Sequence, residues 1–269
     1  VNRRAAAALA RDDGAATKPR ARRGRPRRVR DLAGRIEAFA RHLERFPYLG
    51  LAHPVGERIA AAVGRAPKAT LQDATWYRAR LPKGPERYGS AALGPPEATR
   101  AEGRFNHYGQ TVFYLASSAF GACAETAPQP RSIVWVQRWR VRRFRGLLDL
   151  AGVAHRAGAE APLLTAGLNA VFERLRPDPD SPWKPEYFVP RFVADAARAA
   201  GFRGILYRST EFDGYNAVLF AWTAREIRPE GEPEIVDFSA AADRPRRRAR
   251  RGAGAHRGPA ERHGVAPRR

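Results

Sequence analysis

From Asp31 the chain spaces its apolar residues for a helix. Leu32, Ile36, Phe39, Leu43 and Phe46 recur at steps of four and three, which stacks them on one face. Asp31 can cap that helix and Pro47 stops it. A second, shorter helical stretch covers residues 57–63. Neither helix can bury its stripe alone, so residues 31–70 are expected to form a helical pre-domain or packing arm.

After about Thr70 the texture turns mixed. Residues 74–81, 111–116 (TVFYLA) and 133–141 (IVWVQRWRV) carry β-branched and aromatic side chains at strand-like density. Between the last two, Ser117 or Ser118 can cap a short helix that runs through Glu125 and closes at Pro128. That places Tyr114 at a strand end and Glu125 on the following helix. Residues 190–200 read as a helix stopped at Gly201, leading into a strand over 204–207. Residues 216–222 (NAVLFAW) read as a last buried strand. The stretch 151–185, rich in Pro, Gly and Ala, predicts no element order, and no repeat is visible.

Charge changes this picture less than its size suggests. The 269 residues carry a formal +22. Residues 1–30 hold 11 Arg or Lys against 2 acids, and residues 243–269 hold 10 against 2, so the interior is only +5. The ends, rich in Arg, Ala, Gly and Pro, cannot bury a core and are expected to be disordered basic tails over 1–30 and 231–269. Only four basic residues are lysines, so coding bias explains the composition as well as phosphate binding does. The single cysteine, Cys123, excludes a disulfide framework and a Cys-rich zinc site, and the six histidines lack metal-ligand spacing; no metal is expected. No stretch approaches the roughly 18 apolar residues of a membrane span. A soluble, cytoplasmic protein without membrane contact is the expectation.

Three polar clusters sit where a bland fold would not need them: Tyr77-Arg78 inside a strand, Glu102-Gly103-Arg104-Phe105-Asn106 with Gly109 closing a turn, and Tyr207-Arg208-Ser209 at a strand end. Each has an ordinary reading, since arginines here are mostly solvated surface charge and a serine after a strand is usually a turn or cap. Glu125 is harder to dismiss. It follows a run of small residues, Gly121 to Ala124, which points to close approach by another group. A thiol-nucleophile role for Cys123 lacks a neighbouring histidine, and Ser209 lacks a Gly-x-Ser-x-Gly elbow.

In order and spacing these segments resemble the RES domain family, named for its Arg, Glu and Ser positions. The matching residues are Tyr77-Arg78, Gly103-Arg104-Phe105-Asn106, Tyr114-Leu115-Ala116, Glu125, Gly204-Ile205-Leu206-Tyr207-Arg208-Ser209 and Gly214-Tyr215-Asn216-Ala217-Val218-Leu219-Phe220. The resemblance spans roughly residues 74–223. Two departures stand out: the helix before the Ser209 strand begins Tyr187-Phe188-Val189-Pro190-Arg191 where many members carry Thr-Gln, and Arg208 stands where Pro is common.

The resemblance implies a compact α/β (α+β) fold with a mixed sheet, related to ADP-ribosyltransferases, as a catalytic domain over 71–230. It further implies a toxin of a toxin–antitoxin pair that consumes NAD, by phosphorolysis, by hydrolysis or by ADP-ribosylating a protein. No cofactor is bound permanently; NAD is the substrate and inorganic phosphate a co-substrate. The implied partner is a helix-turn-helix, Xre-like antitoxin encoded nearby. Arg78 and Arg104 would hold the pyrophosphate through guanidinium forks. Glu125 would stabilise positive charge developing at the ribose C1′. Tyr114 would stack on and orient the nicotinamide riboside, and Ser209 would donate to a ribose hydroxyl or phosphate. Asn106 and Asn216 are second-rank candidates for binding NAD, as turn or supporting groups. The rival of another class is a nucleic-acid binder acting through its Arg-rich tails.

Overall fold

The computed structural model describes residues 27–84, 87–97, 101–127, 132–151, 181, 183–238 and 265–266. Helix α1 spans Arg27–Arg45 and α2 spans Pro54–Gly64. Strand β1 (Lys68–Arg80) leads to β2 (Phe113–Ala116), α3 (Ala119–Thr126) and the long β3 (Ile133–Asp149). Then follow α4 (Phe188–Ala199), β4 (Gly204–Arg208), β5 (Tyr215–Leu219), β6 (Ile227–Asp237) and the short β7 (Val265–Ala266).

The strands form one sheet in the order β6-β3-β4-β5-β2-β1-β7, and a further β3–β1 pairing closes it into a barrel. The length of β3 makes closure possible. One edge pairs with β1 from Trp135 to Leu148, while the other pairs first with β6 and then, in parallel, with β4. A parallel pair needs a crossover, and α4 lies within it. The barrel interior is filled by alternate residues of strands β1 to β6, among them Trp76, Phe113, Trp139, Leu206 and Leu219. Because strand side chains alternate, Tyr77, Tyr114, Tyr207 and Asn216 fall on the outer face, under α3 and α4.

The helical segment packs onto the rest of the fold. Ile36, Phe39 and Leu43 of α1 and Ile59 and Val63 of α2 share one core with Val189 and Val193 of α4 and with Ile205 and Val218 of the barrel. Phe46, expected to complete the stripe, is 40 % exposed, because α1 ends at Arg45 and the chain turns away. The Leu32 side chain lies outside the described residues. Asp31 is no cap: α1 begins four residues earlier, since arginine propagates a helix nearly as well as leucine. At α2 the cap is His53, whose Nδ1 accepts from the Val55 N–H at 3.2 Å.

The C-terminal boundary also moves. Residues 231–237, assigned to a tail, belong to β6, and Phe238 beyond it is 1 % exposed. The strand carries Pro229, Gly231 and Pro233, residues that argue against a central strand but are tolerated at an edge, where β6 lies. Residues 1–26, 152–180 and 239–264, which contain most of both expected tails and of the unassigned 151–185 stretch, lie outside the described residues. No described helix is long and apolar enough to cross a membrane, and the described residues contain no cluster of three potential metal ligands.

Candidate functional site

A cavity of about 270 Å³ opens on the outer barrel face, between β1, β2, β5, α3 and the turn Pro185–Tyr187. Its acidic group is Glu125. Ser118 starts α3, its side chain accepting from the Gly121 N–H at 2.9 Å. The small residues that follow let the helix sit close: a Cβ on Gly121 would collide with the Phe212 ring. Eight residues suffice to carry Glu125 to the cavity rim.

The Glu125 carboxylate is fixed through one oxygen. Oε1 accepts from Ser209 Oγ at 2.5 Å and from Asn216 Nδ2 at 2.6 Å. Ser209 Oγ in turn accepts from the backbone N–H groups of Glu211 (2.9 Å) and Phe212 (3.2 Å). With its lone pairs so used, the hydroxyl has only its proton to give, and Glu125 receives it. Ser209 Oγ thus holds the carboxylate, whereas the sequence expectation has it donating to substrate. Asn216, 3 % exposed, lines the cavity and does the same. No described group bonds to Oε2.

Opposite charge comes from Arg104. Its guanidinium lies 6.0 Å from the Tyr187 ring centroid and 5.9 Å from that of Tyr207, within cation–π range of both. The loop that presents it is held from behind. Tyr114 Oη accepts from the Phe105 N–H and donates to Asn106 Oδ1, each at 3.0 Å, while Asn106 Nδ2 donates to the Ala101 and His107 carbonyls at 3.0 Å. Gly103 is required here, because a Cβ would run into Asn106 Oδ1 and Tyr114 Oη. The Tyr114 phenol is thus committed to the loop, and only its ring forms wall. Asn106 is a loop organiser, as its residue type suggested.

Arg78 is placed differently from the expectation. It borders the cavity, but its Nη1 donates to the Gly94 carbonyl at 2.9 Å and its guanidinium lies over the Phe113 ring, on the interior side of β1. Alternation along β1 gives the outer face to Tyr77 instead. Burial, with a smaller push from Arg80, lowers the Arg78 pKa to about 9. It braces the 87–97 segment.

Tyr187 and Tyr207 also form wall; Tyr207 stood out in the sequence only as part of the cluster with Ser209, and neither was expected to have a role of its own. Strand alternation could have found Tyr207, which shares a face with Ser209; nothing local marks Tyr187. Burial raises the phenol pKa of both above its ordinary value, and that of Tyr207 well above; Arg104 opposes the shift and Glu125 adds to it. Phenols shifted in this direction stay protonated near neutrality.

The RES domain family model matches residues 75–240, more than half of the chain. The chain belongs to the RES domain family. The matched region of this RES domain starts within β1 and ends just beyond β6, so it contains every cavity residue described above. Among solved structures, a chain of the M. tuberculosis MbcT–MbcA toxin–antitoxin complex is similar at 18 % identity and a TM-score of 0.45, over 70 % of this chain and 94 % of that one. No curated protein matches.

Proposed function

We propose that this RES domain cleaves the nicotinamide–ribose bond of NAD and passes the ADP-ribosyl group to inorganic phosphate, or to water when phosphate is absent. The observation that supports the reading most is the Glu125 carboxylate, pinned through Oε1 by Ser209 and Asn216 in the wall of a cavity that Arg104 also lines. A cavity of about 270 Å³ takes the nicotinamide riboside half of the dinucleotide, with the remainder crossing the rim.

The chemistry asks little of an acid. The C1′–N bond breaks with its electron pair passing to the pyridinium nitrogen, so nicotinamide leaves neutral. Positive charge builds at C1′, where a fixed carboxylate stabilises it without reorganising. A phosphate or water oxygen then forms the new bond to C1′; with water, the displaced proton goes to Oε2. Arg104 matches a pyrophosphate or phosphate oxygen pair through its fork. The phenols of Tyr187 and Tyr207 supply protonated donors and apolar walls that exclude bulk water.

NAD incubated with the full chain should yield nicotinamide, and ³¹P NMR should show a new ADP-ribosyl phosphate ester only when inorganic phosphate is added. Label appearing on protein in place of that ester would make this a protein ADP-ribosyltransferase acting through the same cleavage. Absence of nicotinamide under every condition would end the reading. We further propose that the chain is the NAD-depleting toxin of a cytoplasmic toxin–antitoxin pair, partnered by a helix-turn-helix protein whose co-expression should suppress nicotinamide release.

A further inference from the structure

We infer that α4 is a strut that sets the position of Arg104, with Arg191 as its principal positioning residue; the functional consequence rests on the NAD reading above. Arg191, Asp195 and Arg198 recur at steps of four and three and so share one face of α4. That face grips the Arg104 loop at four residues. Arg191 Nη1 pairs with Glu102 Oε2 at 2.5 Å and its Nε donates to the Gly103 carbonyl at 3.1 Å. Arg198 Nη2 donates to the Phe105 carbonyl at 3.5 Å, and His107 Nε2 meets Asp195 Oδ2 at 2.7 Å. Asn106 is held by Tyr114. Residues 102, 103, 105, 106 and 107 are thus each tied down, and the Arg104 side chain is the one directed to the cavity rings.

Arg191 stands apart from an ordinary surface arginine. It is 2 % exposed, its Nη2 is buried without a hydrogen-bond partner, and its guanidinium is 5.8 Å from the Tyr187 ring that also flanks Arg104. Burying a guanidinium costs free energy unless its bonds are well made. Only a planar fork can reach the Glu102 carboxylate and the Gly103 carbonyl from one side chain, so lysine cannot replace it fully.

Arg191→Met tests this, because Glu102 is 35 % exposed and can be solvated once its partner is gone. In the full chain, hydrogen exchange of residues 102–107 should quicken about tenfold, with β3 and β4 unchanged, and kcat/KM for NAD should fall about tenfold. In an Arg104→Met background the same change should cost almost nothing further, which a merely structural role would not produce. Arg191→Lys should recover part of the loss. Asp195→Asn, at a half-exposed site, is the second variant should Arg191→Met not fold, and should quicken exchange at residues 105–107. Unchanged exchange, or kinetic losses that add fully in the double variant, would overturn the strut. A wild-type chain inert toward NAD would instead defeat the functional reading, and the exchange result alone would then decide the strut.

Discussion

Ser209 Oγ donates to Glu125 Oε1 across 2.5 Å, joining the end of β4 to the last turn of α3. Two residues separated by 84 positions in the chain form one functional unit. The Ser209 proton is thereby committed to the Glu125 carboxylate.

The first prediction follows from that unit. Ser209→Ala and Asn216→Ala should each lower kcat for nicotinamide release by about tenfold, the loss of one hydrogen bond to a charged group, with KM little changed. The double variant should lose less than the product of the two, since the donors share one acceptor. Steady-state kinetics on the three variants checks it.

The two arginines should separate by readout. Arg104→Met should weaken NAD binding by about tenfold or more, because it removes a fork that meets phosphate oxygens, and should leave thermal unfolding near wild type. Arg78→Met should instead lower the unfolding temperature, as the Gly94 carbonyl loses the nearer of its two arginine donors, with Arg80 Nη2 remaining at 3.4 Å, at a cost of about 1 kcal/mol. Calorimetric titration and thermal melts distinguish them.

Acid stability should depend on Glu226. Its carboxylate receives both arms of Arg203, at 2.6 and 2.8 Å, and those bonds hold its pKa below the ordinary value. A depressed carboxylate contributes stability that is present above its unfolded-state pKa and is lost as pH falls through the folded one. Wild type should therefore exceed Glu226→Gln by about 1 kcal/mol near neutrality, with the gap closing below about pH 4.5, as urea melts across pH would record.

Cys123 should be inert in the native protein. It is 1 % exposed, and burial pushes its thiol up to about 11. One thiol should react with an aromatic disulfide reagent at pH 8 only after denaturant is added; rapid native reaction would contradict the packing described for α3.

The reach of the sequence is clearest residue by residue. Short-range patterns located α3, β2, β4 and α4, because period and caps are local. β6 stayed hidden, since an edge strand with two prolines has no local signature. Barrel closure was equally illegible, depending on which edge of β3 meets β1. At the site, the resemblance to the RES family marked Glu125, Arg104, Ser209 and Asn216 as belonging together, but not who bonds to whom. The direction of Arg78 turns on the register of β1, and the Ser209 proton on two backbone N–H groups beyond it. Tyr187 reaches the cavity only because α4 is packed by α1 and α2.

The most direct test is nicotinamide release from NAD by the full chain and by Glu125→Gln, which keeps the side-chain shape and removes the charge. The account predicts release by wild type and a fall of about 100-fold or more in the variant, with NAD still bound. Undiminished release by Glu125→Gln would contradict it.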